Sequence, residues 1–114
     1  MSAVIKSRRL DDVVILDISG RITLGEGAVT LRDALQKLLN GGDRKLVMNL
    51  EHVDYIDSAG LGELVTAFTI VRAHGGQLKL LKLTHRIHDL LQITKLLTVF
   101  DAYDSETEAI KSLR

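Results

Sequence analysis

Ser58 stands between a carboxylate, Asp57, and the run Ala59-Gly60-Leu61-Gly62, which opens a long segment with an apolar stripe. A hydroxyl just before a helix sits among unpaired backbone N–H groups, at the positive end of the helix dipole. Two readings follow from that position. Ser58 or Asp57 can cap the helix, since both residue types are favoured caps, while Gly60 and Gly62 let the helix pack closely on a sheet. The same place also tolerates a phosphate, which adds about −1.5 to −2 charge and three acceptor oxygens. A phosphate there would change the sign of the outward surface and leave the fold intact, as a binding switch requires. The residues alone leave both readings open.

Other reactive side chains carry less. His85 and His88 are three apart on a short helical segment, a spacing that can hold a metal, but no carboxylate or cysteine set accompanies them. His52 lies near Ser58, and nothing positions it as a base. Ser-His-Asp catalysis needs a strained nucleophile turn and an ordered oxyanion site, which Asp57-Ser58-Ala59-Gly60 does not match. A phospho-receiver would need an acidic pair after its first strand, whereas Asp11-Asp12 falls in a hairpin turn before the second. The expectation is no catalytic residue, no metal and no cofactor: the protein is not an enzyme.

Composition narrows the class further. The chain has 114 residues, 46% apolar and 26% charged, enough for one domain with a real core. Fifteen basic residues balance fifteen acidic ones, so there is no electrostatic footprint for direct nucleic-acid binding. Cysteine is absent, which removes disulfides and thiol chemistry. The N-terminal residues do not form a signal peptide, and no apolar run approaches the roughly 20 residues that cross a bilayer. These features predict a cytoplasmic domain without membrane insertion.

The elements that must position Ser58 follow from periodicity. Residues 3–8 and 13–19 read as a hairpin across Leu10-Asp11-Asp12. A glycine-punctuated loop spans residues 20–27. Ala28, Leu31, Leu35, Leu38 and Leu39 share a helical face that Asn40-Gly41-Gly42 ends. Residues 46–50 are nearly all apolar, as a strand buried on both faces should be. A second helix over 59–74 buries Leu61, Leu64, Val65, Phe68 and Val71. Residues 77–83 read as a strand, Thr84 caps a short helix, and 99–103 form a weak final strand. Ser105 and Glu108 match a capping box that opens the last helix. The order is β-β-α-β-α-β-α-β-α: a single α/β domain over residues 1–114, with a mostly parallel, mixed sheet, an N-terminal hairpin and about four helices. Functional loops of such sheets gather at the carboxyl ends of the strands, where Asp57 and Ser58 lie.

The segment Val53-Asp-Tyr-Ile-Asp-Ser-Ala-Gly-Leu-Gly62, after the strand at 46–50, resembles the signature of STAS-domain proteins, and more narrowly of bacterial anti-sigma factor antagonists. The resemblance covers nearly the whole chain. It implies that Ser58 is the phosphoacceptor of an anti-sigma factor serine kinase, reversed by a PP2C-type phosphatase, with the unphosphorylated form binding the kinase and freeing a sigma factor. It also implies a partner surface made of the motif residues Ile56, Asp57, Ser58, Ala59, Gly60, Leu61 and Gly62 and of the neighbouring loop Leu24, Gly25, Glu26 and Gly27, with Ile56 and Leu61 packing from beneath or supplying contact area. Two departures bear on the partner. Ala59 replaces the second hydroxyl of many members, and the segment after the second strand lacks the usual aspartate. Alternatives within the family are a scaffold subunit of a stress-signalling assembly and the STAS subunit of a lipid transporter complex.

Overall fold

The computed structural model describes residues 3–23 and 25–114, and residues 26–28 by their backbone alone. Its elements follow the expected order: β1 (Val4–Leu10), β2 (Val13–Ile22), α1 (Glu26–Asn40), β3 (Lys45–Ile56), α2 (Ser58–Ala73), β4 (Gln77–Leu81), α3 (His85–Ile93), β5 (Ala102–Tyr103) and α4 (Glu106–Lys111). β1 and β2 form the expected antiparallel hairpin, with Leu10 opposite Val13. β2, β3, β4 and β5 pair in parallel, and the sheet order is the chain order, β1-β2-β3-β4-β5.

Right-handed crossovers that always step the same way place their helices on one face of the sheet. Leu31, Leu35 and Leu39 of α1, Leu61, Leu64, Ala67 and Val71 of α2, and Ile87 and Leu91 of α3 accordingly join one buried cluster with Val14, Leu16, Leu46, Met48, Leu78 and Leu80. Val13, Ile15, Val47 and Leu81 point to the other face, where Ala109 and Leu113 at α4 cover them. Alternate residues of β2 thus serve opposite faces, which is why the strand reads as a continuous apolar run. Gly42 (φ 97°) and Gly75 (φ 78°) take the left-handed positions that end α1 and α2. Thr84 and Ser105 cap as expected, accepting from Ile87 N at 3.2 Å and Glu108 N at 3.4 Å.

Several ends differ from the sequence reading. β3 does not stop at Leu50 but runs to Ile56, while β4 ends at Leu81 and β5 is confined to Ala102–Tyr103. Two register shifts against β2 each insert an extra β3 residue, between the partners of Asp17 and Ser19 and between those of Gly20 and Arg21. Core-facing positions therefore move from Leu46, Met48 and Leu50 to Val53 and Ile56. That spacing of three breaks the period of two by which a strand is recognised. Asn49, the buried polar residue among those described, braces the first shift. Its Nδ2 donates to Asp17 Oδ1 at 2.8 Å, and its Oδ1 accepts from Glu51 N at 3.2 Å.

Arg8 ties the hairpin to α4. Its Nε lies 2.6 Å from Asp17 Oδ2 and its Nη2 lies 2.6 Å from Glu106 Oε1. Hydrogen bonds from Arg8 hold both carboxyls below their ordinary values. A depressed carboxyl contributes stability above its unfolded pKa of about 4 and loses it as pH falls through the folded value. All three groups are about a third exposed or more, so solvent screening limits the effect. We expect Arg8→Gln to cost about 1 kcal/mol or less at pH 7. Urea midpoints of the two proteins should converge as pH drops from about 5 toward 2; a constant gap over that range would exclude this coupling.

Candidate functional site

Ile22 and Ile56 end β2 and β3 as register partners. The chain passes from Ile56 into α2 through Asp57 alone. Asp57 N donates to the Ile22 carbonyl at 3.4 Å, and Asp57 Oδ1 accepts from Gly60 N at 2.7 Å. Asp57 is therefore the cap, in extended backbone (φ −102°, ψ −177°), with its carboxylate at the positive end of the helix. Ser58 is the first helical residue. It is exposed, and its hydroxyl makes no hydrogen bond to the described residues.

The two glycines have different settings. Gly60 is buried, and a Cβ there would stand 1.9 Å from the Ile22 carbonyl oxygen and 2.9 Å from the Ile56 side chain. Only a glycine lets α2 begin this close to the end of β2. Gly62, expected to serve the same packing, is exposed, and a Cβ there would meet nothing within 4 Å. Helix–sheet packing does not account for Gly62.

The expected site residues separate into layers. Ile56 (1% exposed), Gly60 and Leu61 (5%) support the loop from beneath and offer no contact area. Asp57 and Ala59 are half-buried, and Ser58 and Gly62 lie at the surface. Leu24 lies outside the described residues. Gly25 is exposed, with φ 93° and ψ −122°, and precedes α1 without a side-chain cap. Glu26 and Gly27, expected in a loop, belong to the first turn of α1, because Val29 N already bonds the Gly25 carbonyl at 3.0 Å.

Sequence reasoning missed other surface features at this end of the sheet. Val29, in the first turn of α1, is an apolar residue 48% exposed. Tyr55 has Arg21 as its register partner on β2, with the Arg21 guanidinium carbon 4.8 Å from the ring centroid, and Arg86 of α3 comes within 4.6 Å of the same centroid. That meeting depends on the second register shift and on the docking of α3, so no local pattern announces it. A groove of about 560 Å³ beside it is lined by Ile56, His85, Arg86, Asp89 and Leu90. His85 Nε2 lies 3.2 Å from Asp89 and His52 Nε2 lies 3.6 Å from Glu51. Among the described residues no group of three or more His, Cys, Asp or Glu side chains is placed to hold a metal ion.

A STAS domain model matches residues 4–109. The chain belongs to the STAS-domain family. Within it, the chain falls among the anti-sigma factor antagonists. It is 38% identical over 86 residues to the anti-sigma-B factor antagonist of Bacillus subtilis, covering 75% of this chain and 77% of that protein. It is also similar in structure to the tm1081 protein of Thermotoga maritima, with a TM-score of 0.88, 28% identity and coverage of 96% and 94%. Phosphorylated SpoIIAA of Bacillus has the same fold, with a TM-score of 0.74 at 18% identity, covering 97% of this chain and 100% of that one. No helix among the described residues of this STAS protein is long and apolar enough to cross a membrane.

The geometry assigns a separate cost to each position. Asp57→Ala should lose about 1 kcal/mol with the cap, whereas Ser58→Ala should change stability by a few tenths at most. Gly60→Ala should cost about 3 kcal/mol, because backbone must move to admit the methyl group. Gly62→Ala should stabilise by about 1 kcal/mol, the usual preference of a helix interior for alanine. Denaturant unfolding of the four variants checks the set. A Ser58→Ala variant as costly as Asp57→Ala, or a destabilised Gly62→Ala, would contradict it.

Proposed function

We propose that this STAS protein is a cytoplasmic, non-enzymatic anti-sigma factor antagonist that works by partner switching. Unphosphorylated, it binds an anti-sigma factor serine kinase, so that a sigma factor is freed to act in transcription. The kinase transfers the γ-phosphoryl group of ATP to Ser58 Oγ, the hydroxyl proton is lost and ADP leaves. The phosphorylated form lets the kinase go, and a PP2C-type phosphatase restores the hydroxyl by hydrolysis.

The observation that carries this reading is the division of labour between neighbours. Asp57 does the capping, which leaves the Ser58 hydroxyl exposed and without a partner among the described residues at a helix start. A modification at Ser58 then need not disturb the fold, and the helix dipole favours the added negative charge. Two further features support it. SpoIIAA, whose fold this chain shares, is known in both phosphorylated and unphosphorylated forms. Gly62, one helical turn beyond Ser58, gives up about 1 kcal/mol of helix preference with no internal packing to explain it. Close approach of another molecule to the α2 backbone supplies the missing reason.

Incubation with a candidate anti-sigma kinase and ATP, followed by mass spectrometry, should show one phosphate per chain and none in Ser58→Ala. Phosphate persisting in that variant, on Thr23 or Thr66 for example, would sink the assignment. In titration calorimetry Ser58→Ala should bind the kinase like the parent. Ser58→Asp places a charge inside the contact at a cost of roughly 2–5 kcal/mol, a loss of about 30- to 3,000-fold in affinity. Tighter binding by the phosphorylated protein would reject the mechanism.

A further inference from the structure

Of the eight arginines, Arg8, Arg9, Arg32 and Arg114 each make an ion pair, Arg44 donates to the Leu39 and Asp43 carbonyls, and Arg72 lies over Phe68. Arg21 and Arg86 make no ion pair among the described residues, although both are exposed and both lie over the same Tyr55 ring. A guanidinium stacked on an aromatic ring keeps its N–H donors free for an anion in its own plane. Two positive charges are thus held at the carboxyl end of the sheet with no counter-charge paired to them among the described residues.

Their position is tied to Ser58 by the backbone. Tyr55 precedes Ser58 by three residues, so the two Cα atoms are at most about 11 Å apart. Ile22, next to Arg21, is held against Asp57 and Gly60. Both arginines therefore lie at the same end of the sheet as Ser58, and their long side chains can swing toward an anion carried there. The carboxylates nearby oppose it: Asp54 and Asp57 both precede Ser58 in the chain. Glu51 is 3.7 Å from Lys82, Asp89 is 3.2 Å from His85, and Glu63 is paired with Arg32.

We propose that Arg21 and Arg86 are the receptor for a phosphate carried at Ser58. The proposal rests on Ser58 being the phosphoacceptor. A phosphate of about −1.5 to −2 charge matches the two guanidinium charges, and Arg–phosphate contacts are short and bidentate. Modification then does more than add a negative group to the contact surface. It withdraws two cationic donors from that surface, so an acidic partner face loses its attraction as well as meeting a new charge.

The test uses the full chain with phosphoserine installed at position 58 during translation, so no kinase is needed. Titration of the phosphate by ³¹P NMR should give a second pKa about half a pH unit or more below the usual value near 6, because cations favour the dianion. Arg21→Gln with Arg86→Gln should restore the ordinary value. Arg21→Lys with Arg86→Lys, which keeps the charges, should hold it low. Arg72→Gln removes a cation 5.6 Å from the Phe68 ring, toward the other end of α2, and should change nothing. An amide spectrum confirms that each variant is folded. A phosphate that titrates identically in the parent and the double glutamine variant overturns the proposal, as does an equal response to Arg72→Gln. Kinase specificity for Ser58 is settled separately by the mass-spectrometric experiment, so the two ideas fail independently.

Discussion

The carbonyl oxygen of Ile22 is the point on which the site depends. It accepts the amide of Asp57 at 3.4 Å, and Gly60 lies so near that a Cβ would stand 1.9 Å away. Those two contacts set where α2 begins over the end of the sheet. Once the helix starts there, Asp57 can only cap it, Ile56 and Leu61 can only face inward, and Ser58 can only face out. The exposure of the hydroxyl thus follows from packing beneath it. A buried backbone carbonyl gives the arrangement its direction, since its lone pairs must be satisfied and the helix N-terminus is the nearest source of donors.

Much of this was legible in the chain, because the signals were local. The helix stripes, the glycine stop at Gly42, the Thr84 and Ser105 caps and the hairpin turn each rest on a few adjacent residues. The motif itself pointed to Ser58 and to the STAS family. What escaped was non-local. In sequence β3 reads as ending at Leu50 because two inserted residues change its inward spacing from two to three, and only pairing with β2 shows that Val53 and Ile56 continue the strand. Gly60 and Gly62 look alike in sequence, yet one lies against a carbonyl and the other faces open space. The convergence of Arg21 and Arg86 on Tyr55 joins three elements and has no sequence pattern.

The charge distribution separates stability from recognition. The chain is neutral overall, with fifteen charges of each sign, and its ion pairs lie along the surface between neighbouring elements. Exposed pairs of this kind each contribute little, so the fold rests on its two apolar layers. A charge change at the carboxyl end of the sheet therefore leaves the layers untouched.

The sheet order β1-β2-β3-β4-β5 repeats the order of the strands in the chain. Each strand therefore pairs with the one made immediately before it, and no strand waits for a partner still to be synthesised. Each parallel pairing still closes a helix-containing crossover, such as that from Val13 to Lys45, so the loop-closure entropy has to be met before the contacts form. The motif loop is nonetheless held by both neighbours of the crossover, since α2 lies on Ile22 at its start and packs into one cluster with Leu78 and Leu80 of β4.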